Sequence, residues 1–209
     1  EDGLKGYLDC IRNVIGESST ILMPAFTFSF IKTGKYHFCT SAPEKMGALT
    51  EYIRGEYNTY RTEHPFHSML VNGPLAKQFI ANVEPDPYGD NGAFQRAIEW
   101  NYKILLFGAT AEHLSISHLA EADAQVPYRY MMKVHGSATF EDMTVDKAWN
   151  FFARQDGAEI NIQKHYKILD ELRHKGKWQD SSELNASLSL GCARSVYNEY
   201  RRNLIRDVN

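Results

Sequence analysis

With 209 residues, the chain has room for one substantial core, or for one domain with an appendage. It is 43% hydrophobic and 12% aromatic, so it can bury enough apolar surface to offset chain entropy, which excludes wholesale disorder. Lysine and arginine total 23 against 26 acids, a formal net charge of -3, and this is no electrostatic footprint for a dedicated nucleic-acid binder. The cysteines Cys10, Cys39 and Cys192 are odd in number and form no CxxC pair. Neither a disulfide framework nor a zinc cluster is indicated, and a reducing compartment fits. No apolar run approaches the ~20 residues that span a bilayer, and no signal peptide is visible. The expectation is a cytoplasmic protein with no membrane partner.

Leu4, Tyr7, Leu8, Ile11, Val14 and Ile15 recur at helical spacing, and Gly16 stops the pattern. Because the chain opens on this helix without a Met, an upstream segment is expected to be missing. Residues 20–23 form a short apolar run ended by Pro24, the pattern of a buried strand. Residues 25–30 then alternate phenylalanine with Thr27 and Ser29, which reads as a half-buried strand with its hydroxyls in water. Ser41-Ala42-Pro43-Glu44 has the form of a capping box, and Met46, Leu49 and Ile53 follow on one helical face. Pro74 opens a short helix reaching Val83, residues 84–90 read as a loop, and 94–100 as a helix.

Ile104-Leu105-Leu106-Phe107-Gly108 is the strongest buried-strand signal in the chain. Residues 113–123 read as a helix, and 126–134 and 138–143 as strands. The remainder reads as helices over 146–155, 163–174 and 193–206, with Ser187-Leu188 ahead of the last. Strands alternating with helices predict a layered α/β domain with a central sheet and a helical C-terminal wrap. No repeat or linker divides it, so residues 1–209 read as a single domain.

Chemistry could reside first in Ser115-Ile116-Ser117-His118-Leu119-Ala120-Glu121. On a helix His118 and Glu121 share a face. A carboxylate beside imidazole fixes the tautomer and makes the other nitrogen more basic, as a general base requires. Open α/β sheets also place ligands outside the carboxyl ends of their strands, which favours this position after Gly108. The same spacing fits an ordinary His–Glu pair on a helix surface. In Arg61-Thr62-Glu63-His64-Pro65-Phe66-His67-Ser68, two histidines stand three apart. Pro65 and the lack of a well-spaced third ligand disfavour a metal. The segment reads either as a polar loop entering the strand Met69-Leu70-Val71 or as an anion site served by Arg61 and Ser68. No cysteine has a base in its local sequence, and GxSxG, P-loop and GxGxxG motifs are absent, so the corresponding hydrolases, NTPases and dinucleotide enzymes lack their signatures.

The order of the motifs is more specific than any one of them. The chain presents Ile21-Leu22-Met23-Pro24-Ala25-Phe26-Thr27-Phe28, Ser41-Ala42-Pro43 with Met46-Gly47-Ala48-Leu49-Thr50-Glu51, and Arg61 with His64-Pro65-Phe66-His67-Ser68. Ile104-Leu105-Leu106-Phe107-Gly108, His118-Leu119-Ala120-Glu121 and Val126-Pro127-Tyr128-Arg129-Tyr130 follow. In this succession, over most of its length, the chain resembles the aminoglycoside 3-N-acetyltransferase family. Leu190-Gly191-Cys192-Ala193-Arg194-Ser195 stands where that family has a glycine-alanine helix entry.

The resemblance implies an α/β/α sandwich unrelated to the GNAT acetyltransferases, which binds acetyl-coenzyme A and acetylates an amine directly. It implies His118 as general base and Glu121 as the carboxylate that orients it. Thr27, Arg61, His64, His67 and Ser68 would line the coenzyme A and thioester pocket, and Gly108 and Ala109 would form the turn past which pantetheine runs. No metal is implied. An amine must lose a proton before it attacks a thioester, and the charge gathering on the thioester oxygen calls for a donor, with Thr27 and Ser68 both candidates.

The family begins upstream with a strand and a His-Ser-Ser-type loop that this chain does not contain. It usually carries serine and proline where Gly92 and Ala93 stand, in a loop on the acceptor side. The expected acceptor is an aminoglycoside or another amino-sugar-like amine, with Asp86, Asp90, Glu112 and Asp123 flanking the site in sequence. Two alternatives stand beside this reading: a catalytically silent carbohydrate- or nucleotide-binding module on the same fold, and a metal-dependent hydrolase using His64, His67 and His118. A shortened α/β domain also offers an edge strand that could pair with a partner, a homo-oligomer included.

Overall fold

A computed structural model describes residues 2–140, 142–158, 161–181 and 188–208. In chain order the first elements are α1 (Asp2–Ile15), β1 (Ile21–Pro24), α2 (Phe30–Thr33), β2 (Lys35–His37), α3 (Ala48–Arg54), β3 (Thr59–Arg61), β4 (Met69–Asn72) and α4 (Ala76–Ile80). Then come α5 (Ala93–Glu99), β5 (Lys103–Phe107), a 3-10 turn (Ala111–His113), α6 (Ser117–Asp123), β6 (Arg129–Phe140) and β7 (Met143–Arg154). The chain closes with α7 (Ile162–His174), β8 (Trp178–Ser181), β9 (Leu188–Cys192) and α8 (Ala193–Val208). These elements form two compact units, Glu1–Ala93 with Met132–Phe151, and Phe94–Met131 with Phe152–Asn209.

In the first unit β1, β4 and β3 form an antiparallel sheet with β4 at its centre, Asn72 opposite both Ile21 and Thr59. The strand expected over 25–30 is absent. Ala25, Phe26, Thr27 and Phe30 are all buried, so the alternation does not separate a wet face from a dry one, and the chain turns through this segment into α2. Nor does the expected capping box form: the Glu44 carboxylate accepts the Ser29 N–H at 3.0 and 3.1 Å, and α3 starts later, after Gly47. The core gathers Phe30, Tyr36, Phe66, Ala138 and Trp149, each fully buried phenylalanine contributing about 2 kcal/mol. Here β2 runs parallel to β6, and a Cβ on Gly136 would lie 2.5 Å from the Gly34 carbonyl oxygen. The close approach of the two backbones requires glycine.

The helix expected over 146–155 is the strand β7. Trp149, Phe152 and Ala153 are buried at spacings of three and four, which imitates a helical stripe, but pairing in the sheet β2-β6-β7 takes precedence over that local signal.

In the second unit β5, β9 and β8 form an antiparallel sheet with β9 central. The expectation for residues 104–108 is corrected. β5 is an edge strand of this sheet, Leu106 is buried, but Leu105 and Phe107 are 43% and 41% exposed. The described strands fall into three three-stranded sheets rather than one central sheet, and β8 and β9 interrupt the expected helical wrap. Leu188 opens β9, while Ser187 lies outside the described residues. Helix α6 packs on α8, with Leu119, Ala120, Val196 and Tyr200 buried. Among the described residues no helix is long and apolar enough to cross a membrane.

Candidate active site

Helix α6 turns Leu119 and Ala120 inward, which leaves His118 and Glu121 adjacent on its neighbouring face. The His118 Nδ1 and Glu121 Oε2 are 2.8 Å apart, with 28% of the imidazole side chain exposed and 8% of the carboxylate. The Tyr128 hydroxyl donates to Glu121 Oε1 at 3.0 Å. Arg129 Nε sits 2.7 Å from Oε2 as an ion pair, its N–H off the line of a hydrogen bond. Burial alone would push the Glu121 carboxyl up; His118, Arg129 and Tyr128 outweigh it and hold the group below the usual carboxylate range. On its other side Glu121 borders a pocket of about 370 Å³ whose walls include Tyr128, Lys164, His165, Lys167 and Tyr200. His165 Nδ1 meets the Tyr200 hydroxyl at 2.8 Å. Burial depresses that imidazole and raises that phenol.

The turn after β5 is in the same unit. Gly108 has φ +62°, with open space where a Cβ would stand, and Ala109 is half-buried. This turn does not lie at the carboxyl end of an open parallel sheet, because β9, the neighbour of β5, is antiparallel.

In the first unit Thr27, Arg61 and Ser68 come together in one buried network. Arg61 donates from Nε to Ser68 Oγ at 2.9 Å, from Nη1 to the carbonyls of Phe38 and Ser41 at 3.2 and 2.6 Å, and from Nη2 to Ala25 O and Thr27 Oγ1 at 2.6 and 3.1 Å. Every guanidinium N–H is thereby engaged inside the protein, the Nε–H with Ser68 itself. The Ser68 and Thr27 hydroxyls donate to Ala25 O at 2.8 Å and Ala42 O at 3.2 Å.

His64 and His67 stack at 5.8 Å. His64 Nδ1 accepts the N–H groups of Phe66 and His67 at 3.2 and 3.1 Å, which places its proton on Nε2 and takes Nδ1 out of metal ligation. Burial depresses this imidazole to about 4, although Asp86 and the Asn150 backbone favour its charged form. The His67 ring lies flat on Phe151 at 5.6 Å, and its Nε2 is 3.3 Å from the Tyr88 hydroxyl. Among the described residues no group of three His, Cys, Asp or Glu is placed to hold a metal ion. Of the acids that flank the site in sequence, Asp86 accepts from Asn150 Nδ2 at 2.7 Å, Glu112 from the Tyr166 hydroxyl at 3.4 Å, and Asp123 from the Tyr197 hydroxyl. Gly92 lies so close to the Asp86 and Pro87 backbones that a Cβ would come within 2.5 Å of Asp86 O, the physical reason for glycine there.

Sequence reasoning placed Tyr128 and Arg129 in a motif but gave them no role; their signal was the Val126–Tyr130 segment itself. His165 and Tyr200 carried no signal, because each is an unremarkable member of an amphipathic helix.

The sequence model of the aminoglycoside 3-N-acetyltransferase family matches residues 1–203. The aminoglycoside N(3)-acetyltransferase IV of Salmonella sp is 29% identical over 130 residues, 61% of this chain and 49% of that protein. The aminoglycoside N(3)-acetyltransferase VII of Streptomyces paromomycinus is 27% identical over 178 residues, 75% of this chain and 61% of its own length. The chain therefore spans about half to three fifths of these relatives. Among solved structures, AAC-IIIb in binary complex with CoASH superposes with a TM-score of 0.84 at 20% identity, covering 99% of this chain and 84% of that one. Sisomicin-bound AAC-VIa gives a TM-score of 0.81 at 19% identity, covering 99% and 86%. The fold is the one these enzymes share, and the chain belongs to the aminoglycoside 3-N-acetyltransferase family.

Proposed function

We propose that this chain belongs to an acetyl-coenzyme A-dependent N-acetyltransferase that acetylates an amine of an aminoglycoside or other amino-sugar-like acceptor. His118 is its general base and Glu121 the carboxylate that orients it. The observation that carries this reading is the 2.8 Å contact between His118 Nδ1 and the buried Glu121 carboxylate. A proton held on Nδ1 leaves the lone pair on Nε2 to act as the base, on a ring that is 28% exposed. As the free amine attacks the thioester carbonyl, the C–N bond forms and Nε2 takes the proton from nitrogen. The C–S bond breaks, and the imidazolium returns that proton to the departing sulfur, giving the amide and the coenzyme thiol.

Support comes from the family match and from the neighbours in complex with CoASH and with sisomicin. In this reading the extended pantetheine chain runs past the turn at Gly108 and Ala109, where nothing beyond the chain neighbours lies within 4 Å of a Cβ placed on Gly108. The buried Thr27, Arg61, His64, His67 and Ser68 enter this reading as scaffold for a coenzyme-lining loop rather than as side-chain ligands.

The test is thiol release from acetyl-coenzyme A across a panel of aminoglycoside and amino-sugar acceptors. His118→Ala should abolish release with the fold intact, and Glu121→Gln should retain a fraction of it. An undiminished rate for His118→Ala would remove the mechanism. Coenzyme A binding without turnover on any acceptor would favour the silent binding module instead.

A further inference from the structure

We propose that Tyr128 and Arg129 are the positioning residues of the His118–Glu121 dyad, Tyr128 fixing one carboxylate oxygen of Glu121 and Arg129 sharing the oxygen to which His118 donates. The inference rests on the reading of His118 as the base. A glutamate side chain has three rotatable bonds, and a carboxylate with a single partner can offer either oxygen. Here both oxygens are committed: Oε1 to the Tyr128 hydroxyl at 3.0 Å, and Oε2 to His118 at 2.8 Å and to Arg129 Nε at 2.7 Å. Arg129 is itself held, its guanidinium lying over the Phe152 ring at 5.4 Å with 12% of the side chain exposed. The two residues are consecutive, Tyr128 in the turn before β6 and Arg129 its first residue, so one short segment brings both to the carboxylate.

The charged and titratable groups around the dyad come from several elements. Tyr128 and Arg129 approach from the turn before β6 and from its first residue, His165 with Lys164 and Lys167 from α7, and Tyr200 from α8. Glu112 of the 3-10 turn acts on the same cluster through His165. Arg129 is the cation nearest the shared oxygen. Without it the Glu121 carboxylate loses one of the groups that hold it below the usual carboxylate range, and its carboxyl keeps a proton to higher pH.

The experiment uses the intact chain, with kcat/KM for thiol release followed against pH and the Glu121 carboxyl carbon titrated by 13C NMR. Arg129→Gln should move the Glu121 carboxyl titration upward by about one pH unit, and Arg129→Lys, which keeps the charge, should move it less. Tyr128→Phe should lower kcat about tenfold while changing KM for acetyl-coenzyme A less than about twofold. A loss of rate in Arg129→Gln with the carboxyl titration unmoved overturns the role of Arg129. Unchanged kcat in Tyr128→Phe overturns that of Tyr128. Full activity in His118→Ala would instead condemn the general-base reading, and the carboxyl titration would still judge the clamp.

Discussion

Arg61 Nε and Ser68 Oγ lie 2.9 Å apart with both residues buried, and this bond closes the turn that joins β3 to β4 from the inside. The same guanidinium holds the carbonyls of Ala25, Phe38 and Ser41 and rests over the Tyr36 ring at 5.2 Å. A planar fork with five donors can gather that many acceptors at once; a lysine ammonium cannot.

Arg61→Lys should therefore cost stability rather than coenzyme affinity. The smaller donor set leaves buried carbonyls unpaired, a loss of about 3 kcal/mol. Urea unfolding should show a lowered midpoint, with KM for acetyl-coenzyme A near the parent value in whatever protein remains folded. A raised KM at undiminished stability would make Arg61 a coenzyme ligand after all.

Acid should weaken the fold in two steps. His64 is depressed to about 4 from an ordinary 6.5, so between those values the unfolded chain binds a proton that the native state refuses. Stability rises with pH across that window, and its loss on acidification to pH 4 is about 3 kcal/mol. Glu121, held below the usual carboxylate range, adds a second loss as pH falls through its folded-state value. His64→Gln, whose amide oxygen can accept the Phe66 and His67 N–H groups, should shrink the first step, to which the depressed His165 also contributes, and leave the second. Unfolding midpoints measured from pH 7 to pH 3 would read both, and an unchanged slope above pH 4 in His64→Gln would refute the assignment.

Elements whose local pattern agrees with their tertiary setting were legible. Helices α1, α7 and α8 carry amphipathic stripes long enough to be read directly, such as Ile168, Leu169 and Leu172 on α7. The His118–Glu121 pair was legible for the same reason, since helical spacing alone brings the two side chains together. Strand β8, Trp178-Gln179-Asp180-Ser181, is buried only at its first residue, so composition gives little sign of a strand. Thr27, Arg61, His64 and Ser68 look like solvent-facing polar residues in one dimension. Their burial depends on partners up to 43 positions away, such as Ala25 for Ser68, and spacing within a short window cannot reveal it.

Gly191 shows the same dependence and supports a prediction of its own. In sequence it sits in a glycine-alanine helix entry, yet it belongs to β9, with the helix beginning at Ala193. It pairs with Trp178 across the sheet, and a Cβ there would lie 2.2 Å from Trp178 Cε3 and 2.6 Å from Cζ3. The indole is 2% exposed, so Gly191→Ala must displace either the buried ring or the strand. Overpacking of this kind costs about 3 kcal/mol. The cause can be isolated with Trp178→Leu, which is destabilising alone but removes the obstructing ring. The double variant should then be more stable than the sum of the two single losses predicts, by more than about 1 kcal/mol in urea unfolding. Strict additivity would mean that the cost of a side chain at this position does not come from the indole.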